Sequence, residues 1–579
     1  MGRKSSQKKV VKKTNKEKVD SNKPSAATSK KKSELVKIPR FERKEILGAG
    51  LTIIMMAILV TVGYLLFERA FRPQPIAKLL PADTIAAIEI NSNFNHNQFN
   101  KGFKHLQNFP KYSKESFEKA IEDKFAVKFS TIEPWLGRQV GVAYLHSKNN
   151  LDSIDTIYFA EIFSLKNAQA FVTQEAQPTE YKGVKIYSLP ENKGSLIIRQ
   201  QYFLFSKNEG ALEGLVDFYN SNMPSLSKSS KYRKIYNNLP VSNLASLYLN
   251  YNQVSDSFFE LIPFLKKNPL TDDLIKPFLS LFDSEGFSLV ALDKKFAIQS
   301  FLNLKTEKLK DKTYITFKEK YRANLSNYMQ DDVLAFWGGK NMEYQFKRMV
   351  QALSGGDEDL VDVTDSILQN YTQKYFGSGI SLSLDILPLF RNEFAFGIEP
   401  HNGKNVYKLV LETEDPQNAF MQLNKIAENF SKVGAIFEQK VVDYTLPDGT
   451  PSKEIIAIPK EVKRFERDYE GSQISELRVS EEKAFFFSVV GNVAVISNSI
   501  DGVKSVVDIQ SGKKSALSNS QTFNDLIAPT LQNSDEVSYF NFKSLLPEKV
   551  LQNIPFSSMS SGKNYFNDGV STINYLDIK

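Results

Sequence analysis

The feature that most constrains this chain is the uncharged apolar run from Ile46 to Phe67, ILGAGLTIIMMAILVTVGYLLF. As a helix its 22 residues reach about 33 Å, enough to cross the hydrocarbon core of a bilayer. Its Leu, Ile, Val and Phe side chains favour insertion by about 5 kcal/mol in all, and no central charge opposes them. A cleaved signal peptide would have a shorter apolar region and a small-x-small exit, whereas Glu68-Arg69-Ala70-Phe71-Arg72-Pro73 follows here. The run reads as a permanent single-pass anchor, and it has no GxxxG to argue for helix pairing.

The flanks set its orientation. Residues 1–45 carry sixteen Lys and Arg against five Asp and Glu, a net of +11, so the chain total of +8 leaves −3 for everything beyond. The positive-inside rule then predicts a cytoplasmic tail (1–45), a transmembrane helix (46–67), a short linker (68–78) and an extracytoplasmic remainder at the cell membrane. Because the basic charge belongs to the tail, the ectodomain has no counterion-release term, and no nucleic acid is expected there. The Lys/Ser/Thr/Asn composition of residues 1–40 cannot bury enough surface to order itself. Such a tail serves as a topology signal and attracts anionic lipid headgroups; an acidic partner or RNA is the alternative. Met1-Gly2-Arg3-Lys4-Ser5-Ser6 formally fits a myristoylation pattern, which a spanning helix makes redundant.

About 500 residues remain, long for one core. Their two halves align. Pro134–Tyr144 matches Pro388–Ile398, the stretch from Ile154 matches that from Lys404, with Asp415 an N-cap and Pro416 at N1, and Tyr202–Asn220 matches Val493–Ser511. Ser206 and Ser497, Asp217 and Asp508, Tyr232 and Phe523, and Asn250 and Asn541 share one gapless offset of 291. This predicts a tandem duplication, with lobe one at 79–320 and lobe two at 321–579. A constant offset preserves both helical and strand periods, so Val216 with Val507, and Leu215 with Val506, are expected to be buried alike.

Each lobe reads as strand, helix, three strands, two helices, strand, with hairpin turns such as Asp293-Lys294-Lys295. The fold class expected is α+β: a mainly antiparallel sheet with flanking helices on one face. Ser255–Phe282 reads as short helices broken by Pro263, Pro269 and Pro277. The 43 Phe and 24 Tyr are expected to fill sheet cores.

Leu79–Asn91 (LLPADTIAAIEIN), then PWLGRQVGVAYL, and later Ser515–Ile527 (SALSNSQTFNDLI) resemble a bacterial family known as domain of unknown function thirty-three fifty-two. The resemblance implies a membrane-anchored extracytoplasmic protein and supplies no catalytic residues.

Chemistry-bearing motifs are sparse. With no Cys there are no disulfides, thiolate metal sites or Cys nucleophiles. His96, His105, His146 and His401 form no metal-ligand motif, and no GxSxG, Walker A or strand-following GxGxxG occurs. A spatial Ser-His-Asp or Ser-Lys arrangement stays open. Ser354–Asp365 (SGGDEDLVDVTD) gathers carboxylates suited to Ca²⁺, but without EF-hand spacing. It reads better as an acidic first turn of a helix running to Phe376. Asp83, and Asp331 with Asp332, read as turn residues before equivalent strands. No catalytic, cofactor-binding or metal residue is assigned, and no cofactor is expected. The expectation is a non-enzymatic envelope protein that binds another envelope protein or a wall polymer. A carrier or chaperone for an apolar ligand between the lobes is the alternative, and an unrecognised hydrolase the weaker one.

Overall fold

Why this sequence makes so much sheet is visible in runs such as YFLFS and VAVIS, which are apolar on both faces and therefore need cover on both. The structure is a computed structural model. It describes residues 76–579 apart from 92–96, 108, 110–113, 126–127, 149, 151–152, 191–192, 255–281, 306–320, 354–357, 433–436, 460–461, 479–483, 532–533 and 567. The apolar run 46–67, the tail, His96, most of Ser255–Phe282 and the start of the acidic run thus lie outside the described residues. Among the described residues no helix is long and apolar enough to cross a membrane.

The first half contains β1 (Ala86–Asn91), β2 (Leu136–His146), β3 (Ile154–Ile162), β4 (Gln177–Tyr181), β5 (Val184–Ser188), β6 (Ser195–Arg199), β7 (Tyr202–Ser206), β8 (Ala245–Asn250), β9 (Phe282–Ala291) and β10 (Lys295–Leu304). Their pairings give the order β4-β5-β6-β7-β3-β2-β1-β8-β9-β10. The second half contains β11 (Ala335–Lys340), β12 (Glu393–His401), β13 (Lys404–Glu412), a separate hairpin of β14 (Phe437–Thr445) and β15 (Pro451–Pro459), then β16 (Lys463–Tyr469), β17 (Ser472–Arg478), β18 (Ala484–Val490), β19 (Val493–Ser497), β20 (Glu536–Asn541), β21 (Phe556–Phe566) and β22 (Gly569–Ile578). Here the order is β16-β17-β18-β19-β13-β12-β11-β20-β21-β22, the same sequence of positions. All pairings are antiparallel, and the fold is α+β.

The registers agree as well as the order. Ser195 faces Ser206 where Phe486 faces Ser497, and Tyr158 faces Phe205 where Leu409 faces Ile496. The halves are joined through β10 and β22, so that twenty strands form one sheet. This junction is unchanged by exchanging the halves: Lys295 faces Asp577, Asn303 faces Gly569, and the pair Gln299 with Ile573 sits at the middle.

Helices cover both faces, not one. In the first half Glu209–Tyr219 and Ser230–Asn237 seal a core of Leu212, Leu215, Val216, Ile235 and Tyr248, while Leu165–Glu175 covers the opposite face through Ala168 and Val172. In the second half Ile500–Gln510 and Gln521–Leu531 match the first pair, and Pro416–Lys432 lies on the other face over Phe394, Leu411 and Ala494. The physical reason is that β7 and β19 present large apolar side chains on both sides, and either face left bare would cost burial. Val216, Val507, Leu215 and Val506 are all buried. The turn read at Asp293-Lys294-Lys295 joins β9 to β10, while the hairpins of β4 with β5 and of the inserted β14 with β15 were missed.

Candidate functional site

Three places in the fold gather polar groups, and comparing the halves separates what the scaffold needs from what it does not. The first is a corner present in both. The turns Lys182-Gly183 and Glu470-Gly471 both have positive φ at their two central residues, the hairpin geometry that glycine eases. They carry Tyr181 and Tyr469 to equivalent aspartates: Tyr181 Oη donates to Asp217 (3.2 Å) and Tyr469 Oη donates to Asp508 (2.9 Å). In the first half Lys148 and Lys182 also reach Asp217, at 2.5 and 2.6 Å, and hold its carboxyl down to about 2. A contact kept in both halves with different company reads as a latch between hairpin and helix.

The second place exists in one half only. Lys408 on β13 and Glu399 on β12 are both fully buried, with Nζ and Oε1 2.7 Å apart. Lys408 Nζ donates to Ser505 Oγ (2.9 Å), and Glu399 accepts from the Gln330 amide (2.8 Å) and from Gln330 Nε2 (3.0 Å). Burial pulls the Lys408 ammonium below its usual range, and Glu399 opposes the shift. A serine beside a lysine is the arrangement that proton-abstracting nucleophile chemistry requires. Here Ser505 is sealed and lies 2.9 Å from the Gly502 carbonyl, so no substrate reaches it. By strand register the same positions in the first half are Leu145, Ile157 and Gly214. The fold closes equally well around apolar groups there.

The third place is open. A cleft of about 440 Å³ is lined by Lys78, Arg199 and Lys228 together with Ser221, Ser225, Ser227, Tyr219 and Met223, and its lining contains no acid. The 3-10 turns Ile76–Lys78 and Leu226–Lys228 bring two of the cations together, because the Leu226 amide donates to the Leu80 carbonyl (2.8 Å). Arg199 ends β6 with its guanidinium 4.6 Å from the Tyr219 ring centroid, and Tyr219 Oη donates to the Leu79 carbonyl (3.1 Å).

The residues singled out from sequence fall elsewhere. Asp83 and the pair Asp331 with Asp332 occupy matching turns, closed by Thr84 N to Pro81 O and Val333 N to Gln330 O. Burial and the neighbouring Asp331 raise the Asp332 carboxyl. The helix following the acidic run spans Glu358–Phe376, and Asp362 and Asp365 on it are exposed. His105 bonds the Leu292 carbonyl (2.6 Å), His146 bonds Gln253 (3.0 Å) and His401 faces Asp501 (3.3 Å), three separate places. Among the described residues no three His, Cys, Asp or Glu gather to hold a metal ion. Sequence reasoning missed Lys408, whose charge masks its place on the face of Val406 and Val410, and the cleft, whose cations come from distant segments. The signal was present in the offset of 291, which sets Arg199 against Val490.

A model of the family described as protein of unknown function (DUF3352) matches residues 46–568. No curated protein matches the chain. Among solved structures, crystal form III of TP0453 aligns at 11% identity and a TM-score of 0.23, over 40% of this chain and 80% of that one. Crystal form I of TP0453 aligns at 13% identity, also with a TM-score of 0.23, over 40% and 79%.

Proposed function

The chain belongs to the DUF3352 family, whose description assigns no chemistry, and we propose from its own residues that it is a membrane-anchored extracytoplasmic binding protein without enzymatic activity. In this reading residues 46–67 span the cell membrane, the tail 1–45 stays in the cytoplasm near anionic headgroups, and a tandem duplication built lobes 79–320 and 321–579. The partner is another envelope protein or polymer. One observation carries the reading: the halves repeat strand order and register, while of the three polar groupings described above the two confined to one half are a sealed ion pair and an open cationic cleft. The ion pair is sealed, and in the cleft Ser221 Oγ bonds the Phe218 carbonyl while Ser225 and Ser227 bond each other. The halves also meet through a backbone ladder from Lys295 to Asn303, which favours a surface binder over a carrier of an apolar ligand between lobes.

The test is crosslinking in the native membrane combined with protease shaving of spheroplasts. The expected result is one discrete, chemically intact adduct and digestion of the large part with the tail spared. Recovery of a cleaved or modified partner overturns the non-enzymatic reading, and protection of the large part overturns the topology.

A further inference from the structure

We propose that the cleft between Lys78, Arg199 and Lys228 is a binding site for an organic phosphate ester, for which glycerol 3-phosphate and a phosphoglycerol headgroup are the probes. This rests on the binding reading above and names the chemistry of its ligand.

The argument begins with what the scaffold does without. Strand register and the matching 3-10 turns place Asn327, Val490 and Asn519 of the second half where Lys78, Arg199 and Lys228 stand in the first. The corner is otherwise built alike: Leu226 N donates to Leu80 O and Leu517 N to Met329 O, both 2.8 Å, and Ala82 N to Pro224 O corresponds to Asp331 N to Ser515 O. In the second half Asn327 accepts a hydrogen bond from Ser518 Oγ (2.5 Å), a neutral closure of the same corner. Three cations are therefore not a requirement of this fold.

They are also uncompensated. None of the three forms an ion pair among the described residues, and an anion entering the cleft meets three cations and no opposing carboxylate in its lining. The chemistry favours phosphate. Arg199 offers a planar fork for two phosphate oxygens, held against the Tyr219 ring. Ser225 and Ser227 share one hydrogen bond (3.0 Å), which leaves one of their two hydroxyls to donate, the two lysines neutralise charge, and the exposed Met223 gives an apolar wall. At about 440 Å³ the space exceeds one inorganic phosphate and falls in the usual range of small-molecule sites.

The experiment uses the full chain in a neutral detergent, titrated calorimetrically with glycerol 3-phosphate and, separately, with dihexanoyl phosphatidylglycerol or dihexanoyl phosphatidylcholine. The variants are R199V and the triple K78N/R199V/K228N, which install residues that the second half already carries in the same corner. The expected result is saturable binding that weakens with salt, a loss of at least about tenfold in R199V and no measurable binding in the triple variant. Binding of glycerol 3-phosphate identifies a soluble or polymeric phosphate as the source, and binding of phosphatidylglycerol alone identifies a lipid headgroup. No saturable binding of either, equal binding of phosphatidylcholine, or binding unchanged in a folded triple variant overturns the proposal. Release of inorganic phosphate during titration overturns the non-enzymatic reading while leaving the ligand class in place. An envelope crosslink that persists in the triple variant separates failure of this site from failure of the binding function.

Discussion

Lys408 and Glu399 pose the sharpest question at the scale of single residues, since the chain itself contains the apolar alternative. Two charges taken out of water lose hydration worth several kcal/mol each, and their attraction offsets this only with good geometry. Leu145 and Ile157 fill the same places without that cost. Replacing both partners, Glu399→Leu with Lys408→Ile, is therefore expected to leave stability unchanged or raise it by about 1–4 kcal/mol, whereas Lys408→Ile alone strands a buried carboxylate and costs about 3–5 kcal/mol. Chemical denaturation of the three proteins checks this. Glu393 offers a second internal comparison. It is buried, accepts from the Leu325 amide (3.0 Å), and is pushed up to about 7, chiefly by burial and further by Glu412. Its counterpart on β2 is Gln139. A carboxyl whose folded pKa is raised holds its proton more tightly when folded, so its stability is present below the unfolded carboxylate range and is lost as pH rises through about 7. Glu393→Gln should flatten that decline between pH 5 and 8 in melting curves, by about 1 kcal/mol per unit at most.

Among elements, the helices that follow β7 and β19 show what was legible and why. Ser206 Oγ accepts from the Asn208 amide (3.1 Å) and Ser497 Oγ from the Ser499 amide (3.2 Å), after which Asn208 and Ser499 cap their helices. Short polar residues at a strand-to-helix step are local signals, so a single offset found both. Ser499→Ala is expected to cost about 1 kcal/mol, measured by denaturation, with Ser499→Asn restoring it in imitation of Asn208. The hairpin from β4 to β5 was not legible because QPTEY has no apolar alternation; it is an exposed edge whose register comes from the turn at Lys182-Gly183. Lys408 escaped for the opposite reason. Alternation sets it on the same buried face as Val406 and Val410, but a lysine there reads as solvent-facing until its ion pair with Glu399 is known. The cleft depends on segments from residues 78 to 228, a separation at which one sequence carries no proximity information.

At the scale of the molecule, twenty of its strands form one antiparallel sheet whose two halves meet by a self-complementary pairing centred on Gln299 and Ile573. Strands that recognise one another edge to edge are also the units from which fibres grow. At the junction each half consumes the other's free edge, and two edges remain, β4 and β16. Both are blunted. Pro178 removes a donor from β4 beside Glu180, and β16 reads KRFERDY, with opposing charges along an exposed strand. The sheet thus behaves as a polymerisation stopped after one step, its growing ends capped by proline and charge. Pro178→Val with Glu180→Val should reopen one end, raising concentration-dependent light scattering above that of the unsubstituted chain. A molecule that joins its halves by edge pairing makes that pairing inside itself, and the composition of its outermost strands opposes a neighbour's repeating it.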